Sequence, residues 1–510
     1  MPLTPEQRAV VEAGTDPSRP PLTVVGYAGA AKTTTLLAMA KAKGDKGEDG
    51  SAFFFNRAMA DEMRGRILSG GISGLAASTL HSLAFRSMKP TYGERVGAKL
   101  LAVDIARRLG FGRVELPCLS MPITPIGAAY IAMRSLAVYC QSGDERMMKH
   151  HLRAGNHEVA LYRDRVRMAL KPHSERLAKA VFVADSDMAM PHDVYLKGYI
   201  EDVAKGLRPG PAGDYLIGDE FQDANGVTLK LMETMAARGS QVVVAGDPYQ
   251  QIYQWRGSVD AMSRIQTGRR LELTQSFRFG QPLADLASAV LHRLGATVQL
   301  SGNPAVETEI LTRSRGHDAP QAMICRTNAG AMEEAAALVS LGQSCYLPRA
   351  RSMIDIIDDI EALREGGRAQ RTDLRVFRDY DCFLEHADKS SDGAEYKRLL
   401  KMIENQGFQR LRDLLRACEN PGAGTVTLMT AHASKGLQFE SVALGSDFPT
   451  DKDLAEKPER SAEEIRLMYV AATRTQRRLD VSRCAFLRGM AVSEGIAESA
   501  TRRSGTRKAA

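Results

Sequence analysis

The sequence has no apolar run of the roughly 18–20 residues that a membrane-spanning helix needs, so a helical membrane protein is not expected. Its first residues, MPLTPEQRAVVEAG, contain neither a basic n-region nor an apolar core, and a secretory signal peptide is not expected either. Cysteine is sparse: seven in 510 residues, none in a CxxC pair. That speaks against a disulfide framework, an iron–sulfur cluster or a zinc ribbon, and fits a reducing, cytoplasmic setting. No segment recurs at the roughly 20–50-residue period of a repeat protein. Neither sign of charge dominates. The 68 Lys and Arg against 61 Asp and Glu leave +7, which permits a polyanionic partner without requiring one. What is present, 44% hydrophobic and 25% charged residues, is ordinary for a globular chain with room for several domains.

Several short apolar runs lead directly into polar, motif-like residues. They are LTVVGYAG (22–29), SAFFFNRA (51–58), DYLIGDEFQD (214–223), QVVVAGDPYQQ (241–251), QAMICRTN (321–328), TVTLMTAH (425–432) and SVALGSDF (441–448). Such runs between helix-like stretches predict buried parallel strands in α/β layers. They fall into two groups, divided near residue 275. Residues 89–190 and 346–421 carry helical periodicity instead, as in YIAMRSLAVYC and RSMIDIIDDIEALR. The expected organisation is a first α/β core (1–88 and 191–275) interrupted by a helical insertion (89–190). A second core (276–345 and 422–490) follows, interrupted by its own insertion (346–421). The end, 491–510, is small, polar and basic and reads as a disordered tail.

The stretch GYAGAAKTTTL (26–36) has the form of a phosphate-binding loop between a strand and a helix. Backbone N–H groups along Gly26, Ala28, Gly29, Ala30, Ala31 and on to Thr34 can face a phosphate there, with the helix dipole adding to the attraction. Lys32 would reach the β- and γ-phosphates of ATP, and the Thr33 hydroxyl would ligate Mg²⁺. Ala31 departs from the pattern G-x-x-x-x-G-K-[ST]. If that position needs a positive φ, alanine costs roughly 1–2 kcal/mol. If φ is negative, its methyl need only avoid the phosphate. The strand YLIG ends in Asp219-Glu220, where adjacent carboxylates can divide two tasks. Asp219 would hold the metal and Glu220 would orient the attacking water. In GDPYQQIYQWRG (246–257), Gln250 could sense the γ-phosphate, and Tyr253, Trp255 and Arg256 could form a stacking platform for unpaired bases. His150, His151, His157 and His173 show no acidic or cysteine partner at ligand spacing and read as surface or nucleic-acid-facing polar residues.

Taken together, these motifs resemble the UvrD/Rep-like helicases of superfamily 1, most closely the branch containing the F-box DNA helicases. The similar stretches are LTPEQRAVV, GYAGAAKTTTL, FFFNRAMADEM, STLHSLAF, HDVYLKGYI, YLIGDEFQD, GDPYQQIYQWRG, LTQSFRFG, TLMTAHASKGLQF and IRLMYVAATRT. They begin at residue 3, so no F-box is expected ahead of them. The resemblance implies two RecA-like P-loop cores and an ATP-dependent motor that tracks along single-stranded DNA with 3′-to-5′ polarity. It also implies roles for matched positions. Gln7 would contact the adenine edge and Phe277 would stack on its ring. Arg278 and Arg474 would reach the γ-phosphate, and Gln438 stands where the family usually has a glutamate touching the ribose. Phe54, Asn56, Thr79, His81, His432 and Lys435, with Tyr253, Trp255 and Arg256, match DNA-contact motifs. In an alternating strand, Phe54 would face away from Phe53 and Phe55. The implied partners are single-stranded DNA and duplex with a single-stranded tail, bound by a monomer, with room for a nuclease or recombination partner. The rival readings are a single-strand-binding module without hydrolysis and the motor subunit of a helicase–nuclease.

Overall fold

The computed structural model describes residues 2–496 except 55, 118–121, 155–159, 253–260, 266–267, 314–318, 372–373, 375–376, 378, 390–392 and 423–424. The chain divides into two compact units at Leu273/Thr274, with the short segment Tyr27–Ala30 grouped with the second.

The first unit is built on a six-stranded sheet. Its strands are β1 (Leu22–Gly26), β2 (Gly50–Phe53), β3 (Leu75–Ser78), β4 (Tyr215–Gly218), β5 (Gln241–Gly246) and β6 (Arg269–Leu273), in the order β3-β2-β4-β5-β1-β6. Every pairing is parallel. Strands β1, β4 and β5 are buried along their whole length, which explains their unbroken runs of apolar and small residues. The register matters most. Phe53 pairs with both Ser78 and Gly218, Gly218 with Val244, and Val25 with Gly246. The carboxyl ends of five strands therefore lie along one edge. Helices packed between the strands make the return crossings that parallel pairing requires.

Helices Ala102–Arg108, Pro125–Gln141 and Ala160–Phe182 occupy the region read as the first insertion. The chain then re-enters the core through His192–Ala204, whose Lys197 is wholly buried. Lys197 Nζ donates to the carbonyls of Ser142 and Asp144 (2.9 and 2.6 Å) and pairs with Glu201 at 3.0 Å. A buried ammonium needs that full set of partners to offset its desolvation.

The second unit carries another parallel six-stranded sheet. Its strands are β7 (Glu309–Leu311), β8 (Ala322–Cys325), β9 (Cys345–Tyr346), β10 (Val426–Thr430), β11 (Phe439–Leu444) and β12 (Thr475–Asp480), in the order β7-β12-β11-β8-β10-β9. Helices Ala350–Arg364, Tyr380–Lys389, Gly393–Gln406 and Phe408–Ala417 fill the second insertion. That insertion is no independent globule. Ile354, Ile357, Leu411 and Leu415 share one apolar cluster with Met323, Leu428 and Ala443 of the sheet. At the end of the described chain, helix Ala485–Ser493 runs into the stretch read as tail, because Phe486, Leu487 and Ala491 bury one of its faces.

Asp447 joins the second sheet's loops. Its side chain is 4% exposed and accepts from Arg326 N (2.8 Å), Thr327 N (2.7 Å) and Thr327 Oγ1 (2.8 Å). Asp447→Ala would strand three donors at the start of helix Asn328–Ser340. It should lower the stability of this unit by about 2–4 kcal/mol. Denaturant unfolding checks this, and a midpoint equal to wild type would refute the assignment.

Candidate nucleotide site and nucleic-acid face

Because the strand ends of the first sheet are in register, the loops that follow them are neighbours. The loop after β1 leads into helix Lys32–Gly44, which starts without a side-chain cap. Its first-turn N–H groups are thus left for another acceptor. Gly26 is required by close approach: a Cβ there would stand 2.3 Å from Lys32 Cγ. Lys32 Nζ folds back to donate to Gly26 O (3.1 Å) and lies 4.0 Å from Glu220. Ala28 and Ala30 are buried, and Gly29 has φ 76°. Thr34 is exposed and accepts from the Arg66 guanidinium at 2.9 Å.

Thr33 and Asp219, 186 positions apart in the chain, are brought together. Thr33 Oγ1 donates to Asp219 Oδ2 at 2.5 Å. Asp219 is 7% exposed, and burial, followed by the charge of Glu220, pushes its carboxyl up to about 6. Thr33 and Lys32 act in the opposite direction. Two carboxylates and a hydroxyl of this kind suit a hard divalent cation, whose charge would relieve the crowding.

Glu220 stands in the left-handed region (φ 51°) and its Oε2 accepts from Gln222 Nε2 at 2.6 Å. Gln222 Oε1 in turn accepts the Asp247 N–H (3.0 Å), and Gln250 Nε2 donates to Asp247 Oδ2 (2.8 Å). Gln222, Asp247 and Gln250 are all buried. A Cβ at Gly246 would meet Gln222 Oε1 at 2.4 Å, so this relay needs glycine at the end of β5. Sequence reasoning singled out Glu220 and Gln250 but missed Gln222 and Asp247 between them. The residues that follow the two strands, DEFQ after β4 and DPYQ after β5, were the available signal.

Gln7 is buried and committed locally. Its Oε1 accepts from Thr4 N (3.0 Å) and its N–H donates to Thr4 Oγ1 (3.2 Å) in a capping box. Its Nε2 donates to Thr35 Oγ1 (3.1 Å), which ties the N-terminal helix to the helix after the loop.

Of the residues matched to DNA contacts, Asn56 and Thr79 follow β2 and β3 on the same edge. Both cap helices: Asn56 Oδ1 accepts from Met59 N (2.9 Å) and Thr79 Oγ1 from Ser82 N (3.1 Å). His81 is partly exposed, 3.9 Å from Asp193 and edge-on to His192 and Tyr195. Phe54 differs from expectation. Strand β2 ends at Phe53, alternation stops there, and Phe53 and Phe54 are both buried. Phe55, Tyr253, Trp255 and Arg256 lie outside the described residues.

In the second unit the residues matched to nucleotide contacts gather at the opposite, amino end of the strands. Gln438 and Arg474 immediately precede β11 and β12, and Phe439 N donates to Arg474 O (2.9 Å). Arg278 donates to Gln438 Oε1 (3.3 Å) and to Thr473 O (2.7 Å). Arg474 is buried, with its Nε on Val470 O (2.9 Å). Phe277 is half-buried and Gln438 is exposed. His432, within the short helix Ala431–Ser434 after β10, and Lys435, at its carboxyl cap, are both half-buried.

The histidines of the first insertion need a correction. His151 is fully buried rather than on the surface, and Asp144 supplies the acidic partner that the sequence spacing concealed. His150 and His151 Nε2 lie 2.9 and 3.0 Å from Asp144 Oδ2. His151 Nδ1 accepts the Met148 N–H (2.8 Å), which places the neutral ring's proton on Nε2. A metal would need the lone pair of that nitrogen, so the cluster reads as a hydrogen-bonding group. Burial first, then His150, push His151 down to about 4. His173 is half-buried against Phe111 (4.6 Å), and His157 lies outside the described residues.

Ala31 has φ 55° and ψ 39°, the left-handed region. The costly branch of the sequence expectation therefore applies. Ala31→Gly relieves roughly 1–2 kcal/mol of strain, offset by the added freedom of glycine in the unfolded chain. The variant should gain about 0.5–1 kcal/mol in denaturant unfolding of the first unit. A loss of stability would show that the methyl packs favourably.

Comparison with known proteins agrees with this geometry. The UvrD/REP helicase N-terminal domain matches residues 3–266, and the UvrD-like helicase C-terminal domain matches residues 311–485. F-box DNA helicase protein 1 of Schizosaccharomyces pombe is 24% identical over 94% of this chain and 57% of its own length. F-box DNA helicase 1 of Gallus gallus is 24% identical over 90% of this chain and 47% of its own. The chain thus spans about half the length of these relatives. ATP-dependent DNA helicase UvrD1 of Mycobacterium tuberculosis (strain ATCC 25618 / H37Rv) is 47% identical over a 66-residue stretch, 12% of this chain and 8% of that protein. Among the described residues no helix is long and apolar enough to cross a membrane. With both family domains matched in order, and the first alone covering more than half of the sequence, the chain belongs to the UvrD/REP helicase family.

Proposed function

We propose that this chain is an ATP-driven motor that tracks along single-stranded DNA in the 3′-to-5′ direction, unwinding duplex or displacing bound protein. The observation that carries the reading is the single edge on which Lys32, Thr33, Asp219, Glu220 and Gln250 meet although they derive from three separate strands.

In this reading Lys32 exchanges its bond to Gly26 O for phosphate oxygens. Thr33 and Asp219 hold Mg²⁺, which when bound offsets the charge on the phosphate oxygens. Glu220, fixed by Gln222, orients the attacking water and takes its proton. Arg278 and Arg474 supply the positive charge that phosphoryl transfer requires. Phe277, Gln7 and Gln438 select the nucleoside. Asn56, Thr79, His81, His432 and Lys435, with Tyr253, Trp255 and Arg256, hold the strand. The motor works as a monomer in DNA repair, recombination or replication, in a cytoplasmic setting. A partner nuclease or recombination protein is compatible with it.

DNA-stimulated ATP hydrolysis by wild type, falling at least about 100-fold in Lys32→Ala, is the expected result. Wild type that binds single strands but hydrolyses nothing would sink the motor reading in favour of a binding module. Displacement assays on duplexes with 3′ or 5′ tails test the polarity.

Gln222→Leu removes both bonds of the relay while keeping the side chain's bulk. With Glu220 no longer held, kcat for hydrolysis should fall about tenfold with KM for ATP changed less than about threefold. An equal loss in kcat/KM arising wholly from KM would assign Gln222 to nucleotide binding instead.

A further inference from the structure

Seven cysteines without a paired spacing suggest isolated thiols, yet two of them meet in the fold. Cys345 opens β9, and Cys418 caps the carboxyl end of helix Phe408–Ala417. Their sulfurs lie 3.3 Å apart although 73 positions separate them. Both side chains are buried within the apolar cluster shared by the sheet and the second insertion. The surrounding backbone is fastened as well: Leu347 N donates to Cys418 O (2.9 Å), and Cys345 pairs with Val426 on β10.

The position of the pair in the chain gives it meaning. The chain leaves the sheet into the insertion just after Cys345 and returns to it just after Cys418. The two thiols therefore sit across the neck of the insertion, one on each limb. Among the described residues no third histidine, cysteine or carboxylate joins them at ligand distance, which disfavours a metal. Cys140, Cys325 and Cys484 are buried without a cysteine neighbour in the described structure.

We propose that Cys345 and Cys418 are a modification site, a thiol pair that a peroxide converts to a disulfide stapling the neck of the second insertion. The sulfurs need only close from contact to the roughly 2.05 Å of a disulfide. The limbs they join are already hydrogen-bonded, so the backbone need not be rebuilt. The hydrogen bond from Cys345 holds the Cys418 thiol below its ordinary value, which favours Cys418 as the first sulfur to react.

The chemistry balances with one equivalent of hydrogen peroxide. The Cys418 thiolate attacks a peroxide oxygen and the O–O bond breaks. This leaves a sulfenic acid and a hydroxide, which takes up the released thiol proton as water. Cys345 sulfur then attacks the sulfenic sulfur, the S–S bond forms, and the expelled hydroxide leaves with the Cys345 proton as a second water. Two thiols are oxidised and one peroxide is reduced to two waters. A disulfide here closes a long loop, which is where such a link restricts the opened chain most. The proposal is independent of the motor reading.

The test uses the full folded chain, treated with graded hydrogen peroxide, alkylated, and digested with trypsin. The expected product joins peptide Thr327–Arg349 to peptide Ala417–Lys435, each of which contains one cysteine, and reduction splits it. Two of the seven thiols should disappear together. C345S and C418S should each abolish the product, whereas C382S should leave it unchanged. Limited proteolysis within residues 350–416 should slow at least about fivefold in the oxidised protein and recover on reduction. Recovery of the two peptides only as separate alkylated or sulfonic-acid species from folded wild type would overturn the proposal, whatever the variants do. A cross-link that forms without slowing proteolysis would overturn its stapling role.

Discussion

The first unit depends on the register of its parallel sheet. Gly218 is paired with Phe53 on one side and Val244 on the other, and Val25 is paired with Gly246. A slip by one residue in any of these ladders would turn a buried strand inside out. It would also move a loop by about 3.3 Å, more than the length of a hydrogen bond. The contact between Thr33 and Asp219 and the relay from Glu220 to Gln250 survive only because β1, β4 and β5 end together. Chemistry is thus a consequence of packing here. The apolar faces that bury these strands are what hold the polar ends in place.

The second unit uses the same sheet type differently. Its residues matched to nucleotide contacts, Arg278, Gln438 and Arg474, collect where β11 and β12 begin, whereas His432 and Lys435 follow the end of β10. Its carboxyl edge is also occupied by structure. Asp447 binds three donors there, and Arg326 makes a bidentate pair with Glu464 at 2.6 and 2.7 Å. The first sheet gathers its matched polar groups at the carboxyl edge, and the second divides them, with Arg278 and Arg474 at the amino edge and His432 and Lys435 beyond the carboxyl end of β10.

The fold was legible where burial is two-sided. LTVV, YLIG, QVVV and AMIC announce strands because both faces need apolar residues. Strands β3, β6, β7, β9 and β12 escaped notice. RRLEL carries arginines and glutamate because most of it is exposed, TQRRLD carries arginines at its half-buried and exposed positions, and CY is too short to show a pattern. The candidate site was legible through dense local motifs such as GAAKTT and GDEFQD. Groups that act through distant partners were not. Gln222 looks like any loop glutamine until the Asp247 N–H is brought to it. His151 looks solvent-facing until Asp144 is brought beside it. Phe54 was obscured for a third reason: a period-2 argument does not tell where a strand ends, and β2 stops at Phe53 with both rings buried.

Backbone strain adds a last constraint. Among the described non-glycine residues only Arg19, Ala31 and Glu220 have positive φ, and two of these three lie on either side of the Thr33–Asp219 contact. Glycine would remove the strain at both positions, but with unequal consequences. At Glu220 it would delete the carboxylate, so strain there is the cost of aiming a charged group from a sharp turn. At Ala31 no side-chain function is lost. The methyl there restricts the unfolded chain and narrows the conformations open to the loop, whereas glycine would let it sample more of them. A loop ahead of an uncapped helix start must keep its N–H groups converged without a side chain to fix them. Alanine in a left-handed position is therefore a compromise: it gives up part of the stability that glycine allows and keeps the loop's shape better defined.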